Sequence, residues 1–135
     1  MLASQLQNTI IHHLQAVLGD DLQGIMLYGS QATGQSTPES DIDLAVLSDG
    51  PVDPALLWNT AQELACQVMK DVDLVDFRAA TTVLQKEIVE HGVWLQKAKP
   101  FICDLFETHV ISMYQQLQED RKEIIDDVLE RVRNG

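Results

Sequence analysis

A chain of 135 residues, 45% of them hydrophobic, can bury a core without disulfide or metal staples and falls in the size range of one domain. Its formal net charge of −12 argues against broad nucleic-acid binding, which needs a clustered basic surface that nine scattered Lys and Arg do not supply. No basic segment precedes an apolar run at the N-terminus, and no stretch reaches the ~18 consecutive apolar residues of a membrane span, so a cytoplasmic chain is expected.

The first predicted element is a helix: Leu2, Leu6, Ile10, Leu14, Val17 and Leu18 recur at helical spacing, and Gly19 can end it. GIMLY (24–28) is a short apolar run bounded by glycines and reads as a buried strand. DIDLAVLSD (41–49) alternates and then turns apolar, as a central strand does. Asp53-Pro54 supplies an N-cap and a proline at the first helical position, followed by an apolar face of Leu56, Leu57, Leu64, Ala65, Val68 and Met69. VDLVDF (72–77) predicts a third strand. Thr82 with Gln85 resembles a capping box for the short helix VLQKEIVEHG, closed by Gly92, and VWLQ (93–96) predicts an edge strand. Beyond Pro100, apolar residues from Ile102 to Leu117 and from Ile124 to Val132 keep helical spacing; the polar QLQEDRKE between them is compatible with a break or a solvated turn.

This order predicts an α/β (α+β) chain, a small mixed β-sheet with helices packed on it. The expected organisation is a single domain over 1–135, with 101–135 a C-terminal helical segment. Cys66 and Cys103 form neither a CxxC nor a metal cluster and are expected as reduced core thiols. His12, His13, His91 and His109 share no spacing with any acidic pair and read as surface or helix-end residues; Trp58 and Trp94 read as core or partner-facing aromatics. Tyr28 is expected to pack beside the glycine turn that follows it.

The stretch LYGSQATGQSTPESDIDLAVL (27–47) carries the chemistry. Asp41 and Asp43, two apart on a strand, point to one face and repel each other, which raises one pKa unless a cation intervenes. A hard divalent ion removes that cost, and Mg2+ favours carboxylate oxygens together with the phosphates of a nucleotide. Gly29-Ser30 supplies the complement, a tight turn that exposes backbone N–H groups plus a hydroxyl donor, suited to a phosphate if a short helix follows. Either element alone is explained by a hairpin or a solvated acidic pair. Together, at this spacing, they favour function.

GSQATGQSTPESDIDLAV resembles the GSx10DxD signature of the DNA polymerase β-like nucleotidyltransferase superfamily. In particular it is similar to the minimal nucleotidyltransferase (MNT) antitoxins paired with HEPN-domain toxins; VDLVDF, LQKEIVEHGVWL and, less specifically, FETHVISMYQQL extend the likeness. The resemblance implies a minimal polymerase β-like fold and transfer of AMP from ATP to a tyrosine hydroxyl of a cognate HEPN ribonuclease toxin, silencing it with release of pyrophosphate. It implies that Gly29 and Ser30 bind the triphosphate, and that Asp41, Asp43 and a third carboxylate hold two Mg2+ ions about 3.5–4 Å apart. VDLVDF offers Asp73 and Asp76 for that third position; Asp73 is preferred, near the strand start, as metal ligand and base. The MNT subgroup commonly reads GSRARG, so Gln31 and Thr33 stand where two arginines are usual. Two alternatives follow from the same residues: an antitoxin that acts by stoichiometric binding alone, or a nucleotidyltransferase for a small hydroxyl compound of the aminoglycoside kind. Neither a membrane nor direct nucleic-acid contact is expected.

Overall fold

The computed structural model describes residues 2–35, 37 and 40–134. In chain order the elements are α1 (Ser4–Leu18), a 3-10 turn (Gly19–Asp21), β1 (Leu22–Tyr28), α2 (Ser30–Thr33), β2 (Ile42–Ser48), α3 (Pro54–Val68), β3 (Val72–Asp76), α4 (Thr82–His91), β4 (Val93–Gln96) and α5 (Pro100–Asn134). The four strands form one sheet in the order β3-β2-β1-β4. β1 pairs antiparallel with β2 and β4, while β2 and β3 run parallel, joined by the α3 crossover. The sheet is mixed, as the element order predicts.

Alternation along the strands divides the core in two. Ile25, Leu27, Ile42, Leu44, Val46 and Leu74 pack with Ile10 and Leu14 of α1 and Leu64 of α3. Met26, Ala45 and Leu47 point the other way, into Phe77, Ile88 of α4, and Cys103, Phe106 and Val110 of α5. Covered on both faces, β1 and β2 are apolar almost throughout, which is why neither shows simple period-two patterning. Phe77 anchors the second layer: it is fully buried and meets Phe106 edge-on at a centroid distance of 4.8 Å.

Several expectations shift. β1 starts two residues before GIMLY, through a bulge at Leu22/Gly24, and the buried Gln23 there accepts from Arg78 at 2.5 Å. Thr81, not Thr82, caps α4, its hydroxyl accepting from Leu84 N at 3.2 Å. Gln85 does not close a capping box; its amide donates to the Phe77 carbonyl at 2.9 Å. Cys103 is buried, but Cys66 is exposed, because Thr60, Ala61, Leu64 and Val68 define the inner face of α3 and Cys66 falls outside it. Leu56 and Trp58 on the same helix are also exposed, as is Met69 at its C-terminal cap, so Trp58 is no core residue. QLQEDRKE neither breaks nor turns: α5 is continuous from Pro100 to Asn134. That segment holds no Gly or Pro, and a Gln116–Asp120 hydrogen bond of 3.0 Å spans one turn within it. No helix among the described residues is long and apolar enough to cross a membrane.

Candidate active site

β1 ends at Tyr28, and the chain reverses through Gly29 at φ 71° and ψ −155°, a conformation strained for any L side chain. Its carbonyl accepts from Ala32 N and Thr33 N at 3.1 and 3.3 Å, starting the one-turn α2 at Ser30. Gly34 closes that turn in the left-handed region. Glycine is required at position 29 for a second reason, since a Cβ there would run into Asp43 Oδ2. The turn and the acidic strand, ten residues apart along the intervening chain, are therefore in direct apposition.

The strand register gathers the acids. Asp43 pairs with Tyr28 on the β1 side and with Asp73 on the β3 side, so all three side chains share a sheet face. Asp41 lies one residue ahead of β2, exposed, rather than within the strand. Burial raises the Asp43 pKa, and the neighbouring carboxylates of Asp73 and then Asp41 raise it further. The Tyr28 phenol is pushed up to about 12, first by burial and then by Asp43 and Asp73, so it stays protonated and able to donate. All three acids thus act in one local field.

Asp76 is placed differently. It points to the opposite face from Asp73, where Oδ2 accepts from Val52 N at 3.0 Å, and its Oδ1 is buried without a hydrogen-bond partner among the described residues. It fastens the segment leading into α3. Ser30 is half-buried at the first position of α2. Gln31, which enters the sequence reading only as a missing arginine, is 4% exposed, and its amide donates to the Ser40 carbonyl at 3.3 Å. It links the turn at Gly29 to the residue immediately before Asp41. A lone glutamine between Ser30 and Ala32 carries no signal of that burial.

The histidines stay outside this cluster. His13 pairs with Glu63 at 2.9 Å and with Gln67, joining α1 to α3; His12, His91 and His109 are exposed. Trp94 is half-buried and its indole N–H donates to Glu107. The acids and the phenol gathered by the register offer oxygen donors. Among the described residues no three His, Cys, Asp or Glu side chains already converge into a cage for an ion. Mg2+ needs none, because it keeps several waters and takes one or two carboxylates plus substrate phosphates. A set of hard oxygens whose mutual repulsion raises Asp43 fits that ion.

Residues 8–100 match the family model described as polymerase beta, nucleotidyltransferase. The chain is 45% identical over 108 residues to the protein adenylyltransferase MntA of Shewanella oneidensis, covering 80% of this chain and 77% of that one. Among solved structures it is similar to a toxin-antitoxin with AMP-PNP, at 43% identity and TM-score 0.80 over 91% of this chain and 98% of the other. It is also similar to a chain from the tri-AMPylated Shewanella oneidensis HEPN toxin in complex with MNT antitoxin, at 41% identity and TM-score 0.76 over 93% and 97%.

Proposed function

This chain belongs to the polymerase beta, nucleotidyltransferase family, and from that premise we propose that it is the antitoxin of a HEPN/MNT pair, a protein adenylyltransferase that moves AMP from ATP onto a tyrosine of its cognate HEPN toxin. The observation that carries this reading is the register of Asp43 against Asp73 with the side-chain-free Gly29 packed on Asp43. Gly29 N–H and Ser30 hold the triphosphate beside the acids. Asp41, Asp43 and Asp73 would hold the Mg2+ ions, which when bound neutralise the phosphates and lower the charge developing in the transition state.

In the transfer the acceptor tyrosine oxygen forms a bond to the α-phosphorus of ATP, the bond from that phosphorus to the bridging oxygen breaks, and pyrophosphate leaves. Asp73, at the open edge of the acidic cluster, takes the phenol proton. Most of the acceleration comes from holding the two reactants in line between rigid strand ends. Gln31 contributes by fixing Ser30 relative to Asp41.

Silencing by binding alone is the second reading, favoured by Gln31 and Thr33 at the positions where arginines are usual. Turnover separates the two. With ATP and Mg2+, the chain at about one-twentieth of the toxin concentration is expected to suppress all of its ribonuclease activity with time. Suppression that stops at the molar equivalent of added chain would establish the binding reading instead.

A further inference from the structure

Tyr28 is the last residue of β1 and precedes Gly29 directly. In register it lies opposite Asp43, which lies opposite Asp73, so one sheet face carries Asp73, Asp43 and Tyr28 in a row over the adjacent strands β3, β2 and β1. Neighbouring strands are about 4.8 Å apart, which sets the two ends of that row roughly 10 Å from each other with Asp43 between them. Asp73 holds the β3 flank. Tyr28 holds the β1 flank, from which the chain continues into Gly29 and Ser30.

The ring and the hydroxyl of Tyr28 have separate roles. The half-buried ring packs against the second core layer, which includes Met26, Ala45, Phe77 and Ile88. A phenylalanine would pack there equally well. The hydroxyl finds no hydrogen-bond partner among the described residues, although the charges of Asp43 and Asp73 both act on it. At neutral pH a phenol carries its proton and can donate. A donor held by packing beside two carboxylates, and bonded to neither, is free for an anionic oxygen of a bound ligand.

We propose that the Tyr28 hydroxyl is a catalytic donor to the departing pyrophosphate, hydrogen-bonding the oxygen between the α- and β-phosphates as its bond to the α-phosphorus breaks. The inference rests on the AMP transfer assigned under Proposed function. In-line displacement puts the attacking and leaving oxygens on opposite sides of the phosphorus. With Asp73 taking the acceptor's proton on the β3 flank and the triphosphate tail on Gly29 and Ser30, the leaving oxygen faces the β1 flank. As the acceptor oxygen bonds to the phosphorus, the electron pair of the breaking bond passes to the bridging oxygen. Tyr28 keeps its proton, and its O–H stabilises the charge that develops there. Gln31 and Thr33 bring no positive charge to this flank, so the departing oxygen depends more on a neutral donor.

The test compares the full wild-type chain with Tyr28→Phe, which removes the oxygen and keeps the ring. With cognate toxin, ATP and Mg2+, kcat is expected to fall about 100-fold, the scale of losing one preorganised donor, with KM for toxin unchanged and no fall in the thermal midpoint. The loss should also depend on the leaving group. ATP analogues carrying CH2 or CF2 between the β- and γ-phosphates release a more basic or a less basic bisphosphonate, and the variant should lose several-fold more rate on the CH2 analogue. Titration calorimetry without toxin gives a readout independent of turnover. Pyrophosphate, which carries the freed oxygen, is expected to bind the variant about tenfold more weakly, as for a lost hydrogen bond to a charged group, whereas α,β-methylene ATP binds both proteins alike. Equal kcat in the two proteins would overturn the proposal. So would an equal loss on both analogues, the mark of a ring that only shapes the site. A wild type that transfers no AMP and binds pyrophosphate no better than the variant would overturn the reading under Proposed function along with this one.

Discussion

At the scale of single residues, Gly29 is the most constrained position in the site. Its φ of 71° disfavours any side chain, and the space a Cβ would need is taken by the Asp43 carboxylate. Gly29→Ala is expected to lower AMP transfer by 100-fold or more, on the order of a misplaced catalytic group, with the thermal midpoint falling as well. Asp73 and Asp76, indistinguishable by composition, separate by face. Asp73→Asn is expected to abolish transfer without lowering the midpoint, since it removes a charge that repels Asp43. Asp76→Ala is expected to cost about 1–3 kcal/mol through the Val52 amide it leaves unpaired, measured by urea unfolding, while transfer per folded molecule persists. Asp43 has the opposite sign. Its pKa is raised in the fold, so folded protein binds that proton more tightly than unfolded chain, and the carboxylate destabilises at every pH above its folded pKa. Asp43→Asn should therefore raise the midpoint of ligand-free protein at neutral pH while removing activity. The cysteines diverge in the same way: iodoacetamide should label exposed Cys66 under native conditions and spare Cys103, whose thiol is buried and raised in pKa by that burial.

At the scale of elements, what was legible in the sequence is what short-range chemistry dictates. The Asp53-Pro54 start of α3, its side chain accepting from Ala55 N at 3.1 Å, is local and was readable. So were the strands, because apolar runs of that length bounded by turns have few alternatives. The choice between Thr81 and Thr82 was not, because it depends on where Phe77 and Arg78 present carbonyls for Gln85 to reach. Gln31 illustrates the same limit inside the site: its burial follows from the packing of α2 under the segment before β2, which no local pattern encodes. Cys66 and Met69 looked like parts of the α3 core because they are apolar, yet the crossover from β2 to β3 decides which stripe faces the sheet. Among the elements the second core layer is the most sensitive. Phe77→Ala should cost about 3–5 kcal/mol, since it removes a buried ring that holds Phe106 of α5 against the sheet.

At the scale of the whole molecule, the fold joins a four-stranded catalytic platform to a helix that continues beyond it. The platform's acids are brought together by the order β3-β2-β1, a topology that turns one motif and one distant aspartate into a single cluster. The net charge of −12 suits a basic partner surface, or solubility, rather than nucleic acid. α5 is the part least buried by its own chain, with Ile124, Val128 and Val132 exposed in its second half. The most direct measurement of the central claim is transfer of label from ATP labelled at the α-phosphate to the cognate HEPN toxin, with Mg2+, by wild-type chain and by Asp41→Asn/Asp43→Asn. The account predicts covalent label on a toxin tyrosine with the wild type and none with the variant. Equal labelling by both, or none by a wild type that still neutralises the toxin, would contradict it.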